Sequence, residues 1–91
     1  MSSLGEKQAV IKRLRRVEGQ IKGIQKMVDE NQFCGDVLIQ VAAARAALNS
    51  VGGIILENYM KDCLKAYSEG ATEEESLDVL VNTMLQYTKQ N

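Results

Sequence analysis

The sequence predicts an all-α protein of three helices, on three observations. There is no proline in 91 residues. Aromatic residues are scarce, while alanine, leucine, glutamate, lysine and glutamine are plentiful, which favours helix over sheet. Apolar residues recur at three- and four-residue steps rather than in alternation. The length implies a single domain over residues 1–91. So short a chain buries little apolar surface alone, and self-association is the expected supplement.

The first helix is expected over about 6–30. Val10, Leu14, Val17, Ile21, Ile24 and Val28 form one apolar stripe. Lys12, Arg15, Arg16, Lys22 and Lys26 fall on the far side of the helix wheel, and Arg13 flanks the stripe. Gly19 and Gly23 are positions where another helix is able to approach closely. Asp29-Glu30-Asn31-Gln32 breaks the pattern and reads as a turn.

The second helix is expected over about 34–68. Its middle holds a belt of small residues, Ala42, Ala43, Ala44, Ala46, Ala47, Ser50, Gly52 and Gly53. Either two backbones pack tightly there, or this is an ordinary alanine-rich buried helix; Gly52-Gly53 is also a potential kink. Gly70 is a plausible cap. Thr72 followed by Glu75 reads as a capping box opening a third helix that runs to about 89, with Leu77, Leu80, Val81 and Met84 on its stripe.

Charge divides the chain. Residues 1–26 carry seven bases and two acids, net +5; residues 27–91 carry four bases and ten acids, net −6. A basic block on an acidic protein suits either a polyanion-facing surface or a solvated helix face. No stretch looks like a membrane span of about 20 apolar residues. No signal peptide is evident, so a cytoplasmic protein without membrane partners is expected. Enzyme chemistry finds little support. The chain has no histidine, so no histidine base or triad, and no glycine-rich phosphate loop.

Cys34 and Cys63 remain. They stand 29 positions apart, near opposite ends of one expected helix. That is roughly 43 Å along a straight helix, whereas a disulfide needs Cα atoms about 4.4–6.8 Å apart. They are therefore unable to meet within one chain. If Cys34 faces Cys63 of an antiparallel second copy, the two-fold axis falls between Leu48 and Asn49, inside the small-residue belt. Two thiols are too few for structural zinc. Copper(I) is soft enough for two thiolates, but a third soft ligand is missing. Sulfur exchange suits the pair better: one thiolate attacks, the other resolves. Lys61 and Lys65 flank Cys63, where positive charge favours the thiolate. The competing reading makes each cysteine a small buried hydrophobe.

The run Lys12-Arg13-Leu14-Arg15-Arg16-Val17-Glu18-Gly19-Gln20-Ile21-Lys22-Gly23-Ile24, with Phe33-Cys34-Gly35-Asp36-Val37-Leu38-Ile39-Gln40-Val41, closely resembles the copper-sensitive operon repressor family (CsoR-like, including nickel/cobalt and formaldehyde sensors). The resemblance spans about residues 7–89. It implies a three-helix protomer, an antiparallel four-helix dimer and a disc-shaped homotetramer. It implies a non-enzymatic repressor that binds operator DNA through basic residues, without a helix-turn-helix. Carried over to this chain, the DNA contacts are Arg13 first, then Lys12 and Arg16. A basic position that many members carry on the long helix is Ser50 here, with Arg45 nearby as a substitute.

Departures bear on the inducer. Copper-sensing members have a histidine four residues before the second cysteine, where this chain has Tyr59. The family's tyrosine before the first cysteine is Phe33. A two-cysteine, histidine-free pattern is similar to the persulfide-sensing, CstR-like branch, in which protomers become joined by a di-, tri- or tetrasulfide bridge. The expectation is therefore a repressor released by persulfides or polysulfides, without a cofactor. Copper(I) sensing through the same thiolates is the alternative. More distant rivals are a helical interaction module with inert cysteines and a sulfurtransferase.

Overall fold

The computed structural model describes residues 4–69 and 74–89. Three helices follow in order: α1 (Leu4–Asp29), α2 (Cys34–Ser68) and α3 (Glu74–Lys89). The expected α1 begins two residues late, and the expected bounds of α2 coincide with those found. Gly70 and Thr72, the expected cap and capping residue, lie outside the described residues.

The α1–α2 turn has a local cause. Asn31 adopts φ 56°, the left-handed conformation that asparagine tolerates better than most residues. With it, Asn31 N–H donates to Val28 O at 3.1 Å and Gln32 N–H to Met27 O at 3.0 Å. These paired bonds satisfy carbonyls that the helix end would otherwise orphan. The carbonyl of Phe33 then accepts from Asp36 and Val37, opening α2 with Cys34 as its first residue. So tight a connection folds α1 back along α2.

The apolar stripe of α1 is only partly covered. Val10 and Val17 are buried against α2, and Ile24, one heptad on, is half-buried. Leu14, Ile21 and Val28, four residues after each, remain exposed. A stripe wide enough for a globular core spans two seams, and only one is filled within the protomer. The facing seam of α2 is Val37, Ala44, Val51 and Asn58, with Ala44 and Val51 buried. Nothing lies within 4 Å of a Cβ built on Gly19 or Gly23, so α2 makes no close approach to them.

Helix α3 turns back along α2. Tyr87, near its end, lies over Gly52, and its hydroxyl donates to the Asn49 carbonyl at 3.5 Å. A Cβ on Gly52 would overlap the Tyr87 hydroxyl. Gly52→Ala is therefore expected to cost about 1–2 kcal/mol, the overlap outweighing the helix preference of alanine. Chemical denaturation against Gly19→Ala, which has open space and is expected to stabilise slightly, measures it. Gly52-Gly53 leaves α2 continuous.

The protomer is a slab of 57 × 29 × 14 Å with a radius of gyration of 17.5 Å. A compact chain of this length would have about 12 Å. Among the described residues the buried core is only Val10, Val17, Ala44, Val51 and Leu80. The expectation about membrane spans needs correction. Cys34–Ala66 is long and apolar enough to cross a membrane by length and composition. Its alanines, valines, leucines and isoleucines keep the average high past isolated polar residues such as Arg45. A helix that packs on α1 and α3, and keeps a further apolar face open, has the same composition for another reason.

Candidate functional site

Cys34 and Cys63 are both free thiols on the unbroken helix α2. The helix rise sets them about 43 Å apart, as expected from the sequence. Cys34, at the exposed first turn, is open to solvent, whereas Cys63 is half-buried. Gly52, Leu56, Tyr59 and Cys63 share one face of α2, the face on which α3 lies. The opposing residues of α3 are Leu77, Leu80, Met84 and Tyr87, none of them exposed. Three helical turns separate Gly52 from Cys63, and Tyr87 and Leu77 are separated by almost the same rise. Counted by rise from the Tyr87–Gly52 contact, Leu77 falls level with Cys63.

The residues expected near the thiols divide. Tyr59, one turn before Cys63, is half-buried on the same face. Phe33 is 75% exposed, and its ring folds over Gly35, where a Cβ would come 2.6 Å from Cε2. Lys61 sits two residues from Cys63, so the helix turns it away from the thiol. Its Nζ lies 3.2 Å from Glu57 Oε1 at an exposed position. Lys65 is offset in the same way. Adjacency in sequence suggested these lysines; helix geometry separates them from the sulfur. Among the described residues, no three His, Cys, Asp or Glu side chains cluster as a metal set.

The open apolar face carries a seam of its own. Cys34, Val41, Leu48 and Ile55 recur every seven residues on α2, and Val41, Leu48 and Ile55 remain 40%, 49% and 40% exposed. Val41 and Ile55 stand seven residues on either side of Leu48. The axis inferred from pairing the cysteines lies half a residue away. Beside it is a cavity of about 290 Å³ lined by Leu14, Leu48, Asn49, Val51, Gly52, Ile55 and Tyr87. Leu14 thereby joins the open seams of α1 and α2 into one surface.

The basic residues also divide. Arg13 and Arg16 line a polar hollow of about 180 Å³ at the α1–α2 seam with Gln20, Ala47 and Ser50. Arg16, placed on the far side by the helix wheel, reaches the seam with its long side chain. Lys12 and Arg45 are exposed. Arg45 precedes Ser50 by five residues, about 140° around the helix, and points in another direction. Gln20 is the residue that sequence reasoning passed over, since a lone glutamine in a basic run carries no pattern.

An exposed basic helix, an open apolar seam and two thiols at opposite ends of one helix define the surface of this three-helix chain. The family model of metal-sensitive transcriptional repressors matches residues 6–86, and the chain belongs to this family. The copper-sensing transcriptional repressor CsoR of Bacillus subtilis is 33% identical over 92% of this chain and 83% of its own length. The solved structure of the copper-sensing repressor CsoR with Cu(I) from Geobacillus thermodenitrificans superposes with TM-score 0.88 at 39% identity, covering 97% of this chain and 92% of that one. The nickel-responsive transcriptional regulator InrS gives TM-score 0.81 at 38% identity, over 94% and 93%. The three-helix fold is thus that of the family, and these relatives are transcriptional regulators rather than enzymes.

Proposed function

We propose that this chain, acting as one domain over residues 1–91, is a cytoplasmic DNA-binding repressor released by reactive sulfur species. Two copies pair through the open face into an antiparallel four-helix dimer, and dimers pair into a homotetramer. Pairing about Leu48 brings Cys34 of each copy toward Cys63 of the other. The single observation that carries the reading is the unbroken helix between the cysteines, which leaves each thiol no counterpart except on a second copy.

One thiolate attacks the sulfane sulfur of a persulfide RS–SH. This forms Cys–S–SH and releases RS⁻. The facing thiolate attacks the cysteine sulfur, closes an interprotomer S–S bond and releases HS⁻. The two cysteines are oxidised and the persulfide is reduced to thiol and sulfide. Where both cysteines carry persulfide, their condensation leaves a trisulfide and releases H₂S. The bridge favours an assembly geometry that fits DNA poorly, and a bias of a few kcal/mol suffices for release. Arg13, Lys12 and Arg16 neutralise backbone phosphates in the reduced state, with Arg45 as a further contact.

Intact mass spectrometry under non-reducing conditions tests this after persulfide treatment. Covalent dimers are expected, two hydrogens light per bridge, with one sulfur mass added for each sulfur atom inserted. Treated protein that stays monomeric by mass while leaving DNA rejects the proposal.

Copper(I) is the second reading, favoured by relatives that are copper sensors. Cys34 and Cys63 of the partner subunit would hold it, since soft thiolates suit a soft ion. With no histidine in the chain, a nitrogen-rich nickel site has no imidazole donors here. Anaerobic Cu(I) titration separates the readings. Stoichiometric binding that abolishes DNA affinity, without covalent dimers, would establish copper as inducer.

A further inference from the structure

We propose that Gln20 and Ser50 complete a seat for one DNA backbone phosphate between α1 and α2, in which Gln20 is the positioning residue for Arg16. The inference rests on the repressor reading above and adds two neutral residues to it. Gln20 Oε1 is buried and has no hydrogen-bond partner. An unmet carbonyl oxygen at the wall of a hollow is an acceptor awaiting a donor. Two guanidiniums, Arg13 and Arg16, share that hollow. Neither is held in an ion pair by a described residue.

Arg16 precedes Gln20 by four residues, so the two side chains are neighbours on one helix face. A guanidinium has five N–H donors in a planar fork. One directed at Gln20 Oε1 satisfies the buried acceptor and leaves the outer pair aimed away from the seam. That is the geometry for bidentate capture of a phosphate. Ser50 adds a hydroxyl donor from the α2 side, and Ala47 is small enough to keep the hollow open. A hollow of about 180 Å³ has room for a phosphate group. Pairing with Gln20 Oε1, unpartnered in this structure, fixes the direction of the Arg16 fork as the phosphate is bound.

The test is fluorescence anisotropy of a 30-base-pair mixed-sequence duplex with the reduced full chain over a KCl series. Phosphate contacts are independent of sequence, so no particular operator is required. Gln20→Met keeps length and removes the acceptor. It is expected to weaken binding about three- to tenfold and to lower the salt slope by about one per seat engaged, although no charge is removed. Its melting temperature stays near that of the wild type, which separates positioning from folding. Ser50→Ala, at an exposed helix position, is expected to weaken binding about twofold without a stability loss. If Arg16→Ala lowers the slope but Gln20→Met and Ser50→Ala match the wild type, the seat is overturned and the repressor reading stands. If Arg13→Ala and Arg16→Ala also match the wild type, the DNA reading falls with it.

Discussion

Under the proposed function, serine at Cys34 is expected to abolish the response to persulfide: the variant is expected to stay bound to operator DNA at inducer levels that release about nine-tenths of the wild type. Its affinity in the reduced state stays within about twofold, because Cys34 lies well away from the Arg13–Arg16 hollow and bears no charge for phosphate. Cys63→Ser behaves alike. Neither variant forms a covalent dimer through its remaining thiol, since like cysteines of an antiparallel pair sit at opposite ends. Mixing the two variants gives the sharper result. In the heterodimer, one end carries two serines and the other carries Cys34 from one copy against Cys63 from the other. One bridge per heterodimer therefore returns, with about half the full number of bridges in such dimers. An intrachain bridge predicts no return, because neither variant retains both thiols. Non-reducing mass spectrometry with a tag on one variant reads the outcome. A covalent dimer of Cys34→Ser alone would refute the pairing.

The second large effect is on assembly. Leu48→Glu is expected to dissociate the dimer and to melt most of the helix with it. Leu48 is half-exposed in the protomer, so a lone chain would tolerate a carboxylate there. At a two-fold axis the residue meets its own copy. The substitution then sets two like charges face to face in an apolar seam, at a cost of several kcal/mol. The protomer has five buried residues among those described and little to fall back on. Sedimentation velocity and circular dichroism check this at equal concentrations. Val81→Glu, at an exposed position on α3, serves as the control and is expected to leave the assembly intact. A Leu48→Glu protein that keeps the wild-type mass in solution would place the interface elsewhere.

Much of this was legible along the chain. The absence of proline and the three- and four-residue spacing predicted α1 and α2 closely. The turn was visible as Asp29 to Gln32, though not that Asn31 would take the left-handed position. The stripe of α1 was correctly read as apolar, but a wheel does not distinguish one wide contact from two narrow seams. Arg16 and the lysines beside Cys63 were misplaced for related reasons. Arg16 has the length to reach round its helix, whereas two-residue neighbours on a helix point apart. Gln20 was invisible because its importance lies in an unmet hydrogen bond, which no spacing reports.

The sequence by itself determined three helices, a basic first helix and two thiols too distant to join within one copy. These are consequences of local propensity and of a fixed rise per residue, so they need no knowledge of packing. Only the tertiary structure decided which apolar residues are filled and which stay open, that Tyr87 of α3 lies over Gly52, and that Arg13, Arg16, Gln20 and Ser50 share one hollow. Those facts depend on how one helix rotates against another, a choice made by the fit of side chains that lie far apart along the chain.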